Sequence, residues 1–372
     1  MSLHEKPPII AGADGSLRRT VFEDLRRGGL SSALRRDLRQ ITRFYLDEDR
    51  QARLAAMGRL RRAFWVVLWV LKGLLMKLSP PRRLLVLLAL LMWLLGTVEV
   101  GPAGAGVLVD LRRWSFVLLL LVLMLELKEK LLARDEIEVA RQVQLALLPQ
   151  ENPRLEGWSF WSYMRPANDV GADLVDYVDL EEGRLGVVLG DVAGKGLGAA
   201  LLTAKLQATL RALLPGRSSL AELGRGLNAI LHRDGLENRF ATLFYFEIEP
   251  GGGRMRYLNA GHNPPYVVRA SGIEALGASS LPLGMMPTAD CVEGSLELRP
   301  GDMLVVYSDG LTEARNAHDE EWGDERLRAL LPQMRGATPG AAGVRVLEEV
   351  NAFLGHERPH DDLSLILALR QG

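Results

Sequence analysis

The chain has 372 residues, 48% of them apolar, and a formal net charge of −1. That length accommodates two or three domains, and the near balance of charge gives no general case for nucleic acid. Cys291 is the one cysteine, so no internal disulfide forms, and Glu297 stands where a Cys-x₅-Arg loop needs its arginine, which excludes a cysteine nucleophile of that kind.

Residues 1–62 read as a cytoplasmic amphipathic helical region. The first sixteen residues carry Pro7, Pro8, Gly12 and Gly15 and no secretory signal. Beyond them arginines mix with acids, and Leu34, Leu38, Ile41, Phe44 and Tyr45 recur at helical spacing. Residues 63–127 read as membrane-associated. The stretch 63–78 is short and holds Lys72 and Lys77, which suits a helix lying in the lipid interface on Trp65 and Trp69. Residues 82–100 and 107–127 come close to spanning length, and a Gly/Ala/Pro-rich turn at 101–106 would make them a transmembrane hairpin. Arg82 and Arg83 before it and Lys128 and Lys130 after it place both ends in the cytoplasm, whereas Asp110, Arg112 and Arg113 count against that orientation at the far side. The alternative is a buried apolar hairpin in a soluble dimer.

Residues 127–149 contain no glycine, and Leu131, Ala133, Ile137, Val139 or Ala140, and Gln144 with Leu147 fall at roughly heptad spacing. The pattern predicts a helical linker, a possible coiled coil between two copies, stopped at Pro149. From 150 to 372 the pattern changes to short strands with a few helices. Strands are expected at 158–165, 173–180, 184–191, 240–248, 254–260, 265–269, 303–308 and 363–369, and helices at 197–214, 219–233, 324–334 and 339–354. Such a mostly antiparallel set predicts an α+β sandwich.

Four acids stand at the ends of these strand-like runs. The run through Leu189 ends in Gly190-Asp191-Val192-Ala193-Gly194-Lys195-Gly196; Asp173 follows Gly171-Ala172; Asp309 closes Val306-Tyr307-Ser308; Asp361 precedes Asp362-Leu363-Ser364. One such Asp is ordinarily a turn or cap residue. Four together suit a hard cation such as Mg²⁺ or Mn²⁺, which prefers oxygen donors. The glycines around Lys195 do not make a nucleotide P-loop, because Gly190 and Gly194 are too close and Gly196 replaces the Ser/Thr.

Seven segments occur in order: Ala140-Arg-Gln-Val-Gln-Leu-Ala-Leu-Leu-Pro149, Gly171-Ala-Asp-Leu-Val-Asp176, Gly190-Asp-Val-Ala-Gly-Lys-Gly196, Phe240-Ala-Thr-Leu-Phe244, Asn259-Ala-Gly-His-Asn-Pro-Pro265, Tyr307-Ser-Asp-Gly-Leu-Thr-Glu313 and Asp361-Asp-Leu-Ser364. The series resembles the bacterial PP2C-type (PPM) phosphatases of the SpoIIE/RsbU family. It covers residues 135–370 and leaves out the first ~130. The resemblance implies a PP2C-like β-sandwich flanked by helices over 150–372. It implies a metal-dependent protein serine/threonine phosphatase in which water activated by two ions, Mn²⁺ or Mg²⁺, attacks phosphoserine or phosphothreonine. No side chain then needs to act as nucleophile. It makes Asp191 the bridging ligand, with the Val192 carbonyl, Asp309, Asp361 and Asp173 completing the set. Asp176 and Asp362 read as supporting or capping residues, Glu313 as a group that could orient a water, and His262 as a turn residue rather than a general acid. Lys195 either contacts phosphate or is solvated. The family shows Gly-Gly-Asp where this chain has Gly171-Ala172-Asp173, which puts the local backbone in question. The implied partners are a phosphorylated regulatory protein, in the family a STAS-type anti-sigma-factor antagonist, together with membrane lipid and a second copy through 127–149. No nucleic acid is expected. The expected place is the bacterial inner (cytoplasmic) membrane, with the phosphatase domain cytoplasmic. The rival reading is a catalytically silent membrane signalling scaffold.

Overall fold

The computed structural model describes residues 58–100, 107–216, 219–234 and 239–372. The amphipathic region expected before residue 58 and the turn at 101–106 lie outside them. The chain divides into two units, Met1–Lys130 and Leu131–Gly372.

In the first unit, helix α1 (Arg59–Lys77) is followed by α2 (Pro80–Leu95), strands β1 (Thr97–Val100) and β2 (Val107–Asp110), and helix α3 (Leu111–Leu147), whose later part belongs to the second unit. This corrects the transmembrane hairpin. No helix among the described residues is long and apolar enough to cross a membrane. The physical reasons lie in the breaks. Helix α2 is 16 residues long and ends where Gly96 turns to φ 72. The residues after it, Thr97 onward, extend instead and pair with β2 in an antiparallel ribbon, Thr97 opposite Asp110. In α3 the apolar run from Trp114 to Leu125 is bracketed by Arg112, Arg113, Glu126 and Lys128. The basic pair expected to face cytoplasm makes contacts within the unit. Arg82 reaches Glu126 (2.9 Å) and Glu129 (2.5 Å) on α3. Arg83 donates to the carbonyls of Leu75, Met76 and Leu78 (2.9–3.2 Å), covering the end of α1.

The second unit is the predicted α+β sandwich. One five-stranded sheet has the order β10-β7-β6-β5-β4 and the other β3-β12-β11-β8-β9. The strands are β3 (Trp158–Arg165), β4 (Asp173–Asp179), β5 (Leu185–Val192), β6 (Ala241–Ile248), β7 (Arg254–Ala260), β8 (Tyr266–Arg269), β9 (Gly272–Ala275), β10 (Glu293–Glu297), β11 (Met303–Tyr307) and β12 (Leu363–Arg370). Every pair is antiparallel. The period-2 alternation of β5 sorts its side chains: Leu185, Val187 and Leu189 face the other sheet with Phe244, Phe246, Val306 and Ile366, while Val188 and Val192 face away. That outer face is covered by α4 (Leu197–Leu213) and α5 (Leu220–Asp234) through Leu202, Leu206, Leu210, Leu223 and Leu227. The outer face of the second sheet is covered by α6 (Asp324–Leu330) and α7 (Pro339–Leu354). The layers are therefore helix, sheet, sheet, helix.

Candidate metal centre

Strand ends from both sheets bring the other three acids near Asp191. Asp173 opens β4 and stands directly opposite Asp191, the penultimate residue of β5. Asp309 follows β11 and starts a single helical turn, Asp309–Thr312. Asp361 and Asp362 lead into β12. Two buried serines lock the last two ends together. The Ser308 amide donates to the Ser364 carbonyl (3.0 Å), its hydroxyl donates to the Asp362 carbonyl (3.1 Å), and the Ser364 amide donates back to that hydroxyl (2.9 Å).

The carboxylates repel one another in a poorly solvated place. Burial, reinforced by Asp191, holds Asp173 well above the usual carboxylate range. Burial and then Asp309 and Asp361 push Asp191 up to about 7. Burial, Glu313 and Asp361 push Asp309 up to about 6, against the opposing pull of the Gly310 amide and Lys195. One oxygen of Asp173 is buried without a hydrogen-bond partner. An orphaned buried carboxylate oxygen, raised carboxylate pKa values and an all-oxygen donor set fit a hard divalent cation, whose charge would relieve each of these. The side chains do not close into one coordination sphere, however. Among the described residues, no group of three or more His, Cys, Asp or Glu stands close enough to hold an ion. Asp361 is drawn aside by Lys195, whose Nζ lies 2.9 Å from its Oδ2.

The other acids have structural partners. Asp362 accepts the Ala167 amide (2.7 Å) and the Ala172 amide, fastening the loop ahead of Asp173. Asp176 is 1% exposed and takes a two-pronged pair from Arg211 on α4, both contacts 2.7 Å. Its side chain serves the α4 contact. Glu313 sits on the turn after Asp309, its amide donating to the Asp309 carbonyl (2.8 Å). His262 is buried, takes its backbone N–H to Asn259 (2.9 Å), and has Nδ1 2.9 Å from the Thr242 hydroxyl. Burial holds its ring down to about 4, so it is neutral. The Gly171-Ala172 departure is also explained. Neither residue has positive φ, so alanine fits at 172. Glycine is needed at 171, where an added Cβ would lie 2.8 Å from Asp362 Oδ2.

The sequence reading missed a junction at this same loop. Gln144, near the end of α3, donates to the Gly171 carbonyl (2.7 Å) and accepts the Gly171 amide (2.9 Å). Thr203 on α4 donates to the Ala172 carbonyl (2.7 Å), and Gln207 donates to the Leu147 carbonyl (2.9 Å). The linker helix, α4 and the loop that delivers Asp173 are thus joined by hydrogen bonds. The only hint was an amide at a position where the heptad pattern wants an apolar residue.

The fold is that of PP2C domains. The SiaA-PP2C domain of Pseudomonas aeruginosa superposes with a TM-score of 0.56 at 19% identity, over 66% of this chain and 99% of that one. The family model for Stage II sporulation protein E (SpoIIE) matches residues 181–371, and the chain belongs to that family. Protein IcfG of Synechocystis sp. is 31% identical over 265 residues, 64% of this chain and 42% of that protein. Phosphoserine phosphatase RsbP of Bacillus subtilis is 31% identical over 189 residues, 49% of this chain and 46% of that protein. The chain therefore spans less than half the length of either relative.

Proposed function

We propose that this chain is a metal-dependent protein serine/threonine phosphatase acting on a phosphorylated regulatory protein, a STAS-type anti-sigma-factor antagonist being the partner the family resemblance implies. The observation that carries the reading is the convergence of Asp173, Asp191 and Asp309, each with a raised pKa, from strand ends of both sheets. The name of RsbP, a phosphoserine phosphatase, supports the reaction. Asp191, the Val192 carbonyl, Asp309, Asp361 and Asp173 would hold two Mn²⁺ or Mg²⁺ ions. When bound, the ions supply Lewis acidity that activates water and neutralises phosphoryl charge. The chain's own part is placement. Ser308 and Ser364 lock the Asp309 and Asp361 ends together, and Asp362 fixes the loop before Asp173. Phosphate release from a phosphoserine peptide with and without Mn²⁺ tests the reading. Partner binding without release would favour the silent scaffold.

The linker junction supports control of this centre through α3. Replacing Gln144 by Ala removes both bonds to Gly171, worth about 2 kcal/mol together. We expect kcat to fall about tenfold and the urea midpoint of the second unit to drop by no more than those two bonds account for, about 1 M. An unchanged kcat would detach the linker from the centre.

The exposed apolar side chains of α1–α3, among them Phe64, Trp93, Leu94, Trp114 and Phe116, support a surface that lies on lipid; the bacterial cytoplasmic membrane, with the phosphatase domain on its inner side, is the place the family resemblance implies. Full-length protein is expected to float with anionic vesicles. Protein left entirely at the bottom of the gradient would remove lipid from the account.

A further inference from the structure

Lys195 lies in the turn between β5 and α4, flanked by Gly194 at φ 112 and Gly196 at φ 75. Its ammonium is 2.9 Å from Asp361 Oδ2 and donates to the His360 carbonyl at 2.5 Å. The side chain remains half exposed, so it reaches into the acidic site from the solvent side and is not buried for packing. Its charge also reaches Asp309, whose pKa it lowers. The ammonium therefore puts its charge on Asp361, where an ion held by that carboxylate would put its own.

From this geometry we infer that Lys195 is an internal counter-cation that competes with one of the two metal ions for Asp361. The inference rests on the metal-centre reading of Proposed function. An ion that takes Asp361 releases the ammonium, and the ammonium resists the ion by the same free energy. Because Lys195 sits in the turn that leads into α4, its release also frees that turn. Ion occupancy at Asp361 is thereby linked to the β5–α4 connection. A mixed contact of this exposure is worth little, so the competition shifts affinity by about three- to fivefold rather than by orders of magnitude.

Two measurements on the full-length protein test this. In the first, Mn²⁺ is titrated by calorimetry into wild type, Lys195→Met and Lys195→Arg. The methionine variant is expected to bind the weaker of the two ions about three- to fivefold more tightly, and the arginine variant to stay near wild type. In the second, amine acetylation at Lys195 is followed by mass spectrometry with and without Mn²⁺. Labelling is expected to be slow without metal and faster with it. In Asp361→Asn it is expected to be fast under both conditions. Wild-type Mn²⁺ binding with Lys195 labelling indifferent to Mn²⁺, or equal affinity in Lys195→Met, overturns the competition while leaving the metal centre standing. No Mn²⁺ binding in wild type or in Lys195→Met overturns the metal centre, and the competition with it.

Discussion

Asp191→Asn is expected to lower metal-dependent phosphate release roughly 10³-fold or more, because several kcal/mol of transition-state charge stabilisation depends on both ions being held. Asp191 faces Asp173 across the β4–β5 pair, and its carboxylate is the one raised by both Asp309 and Asp361. It is the acid that borders every other candidate ligand. An amide keeps the shape but carries no charge and is a poor ligand for a hard cation. The same substitution should cost the metal-free fold nothing, since it removes a repelling charge. Loss of turnover with a raised metal-free melting temperature is thus the expected pair of results, read by phosphate release and thermal unfolding. Retained turnover would show that the strand-end acids are not the ligands.

The second large effect is a change of sign in the pH dependence of stability. Asp191 and Asp309 have folded pKa values of about 7 and about 6, above their unfolded values. Their contribution is therefore fully present at low pH and is lost as pH rises through the folded values. His262 runs the other way. Its folded value of about 4 lies below its unfolded one, so its contribution is lost as pH falls toward that value. Several carboxylates outweigh one imidazole. Chelated protein is expected to grow more stable as pH falls from about 8 to about 5.5, by a few kcal/mol in all. Excess Mn²⁺ should reverse the slope, because ions bind ionised carboxylates and stabilise only the folded state. Urea unfolding across this range, with chelator and with Mn²⁺, reads both slopes. Parallel slopes would mean that the acids do not share a cation.

Much of the second unit was legible in the sequence because both faces of its central strands are buried. Val187 and Leu189 need the other sheet, Val188 needs the α4–α5 layer, and the resulting apolar runs end at the acids. The strands that escaped notice, β9 and β10, sit at sheet edges, and their mixed, partly exposed residues give no period to read. The transmembrane hairpin was misread for a related reason. Apolar content in 82–100 was visible, but it did not reveal that Gly96 ends the helix and that Thr97-Val98-Glu99-Val100 would pair as a strand. The strand-end positions of the acids were legible from the motif series, whereas the contacts around them were not. Gln144 to Gly171 and Lys195 to Asp361 join residues far apart in the chain, and no local pattern encodes such a meeting.

The most direct test of the central claim is a Mn²⁺ titration of the full-length protein, with calorimetry and phosphate release from a phosphoserine peptide followed on the same sample. The account predicts two bound ions, release that rises as the weaker one fills, and loss of both signals in Asp191→Asn and Asp309→Asn. Release that proceeds equally well in chelator, or that survives both substitutions, would contradict it.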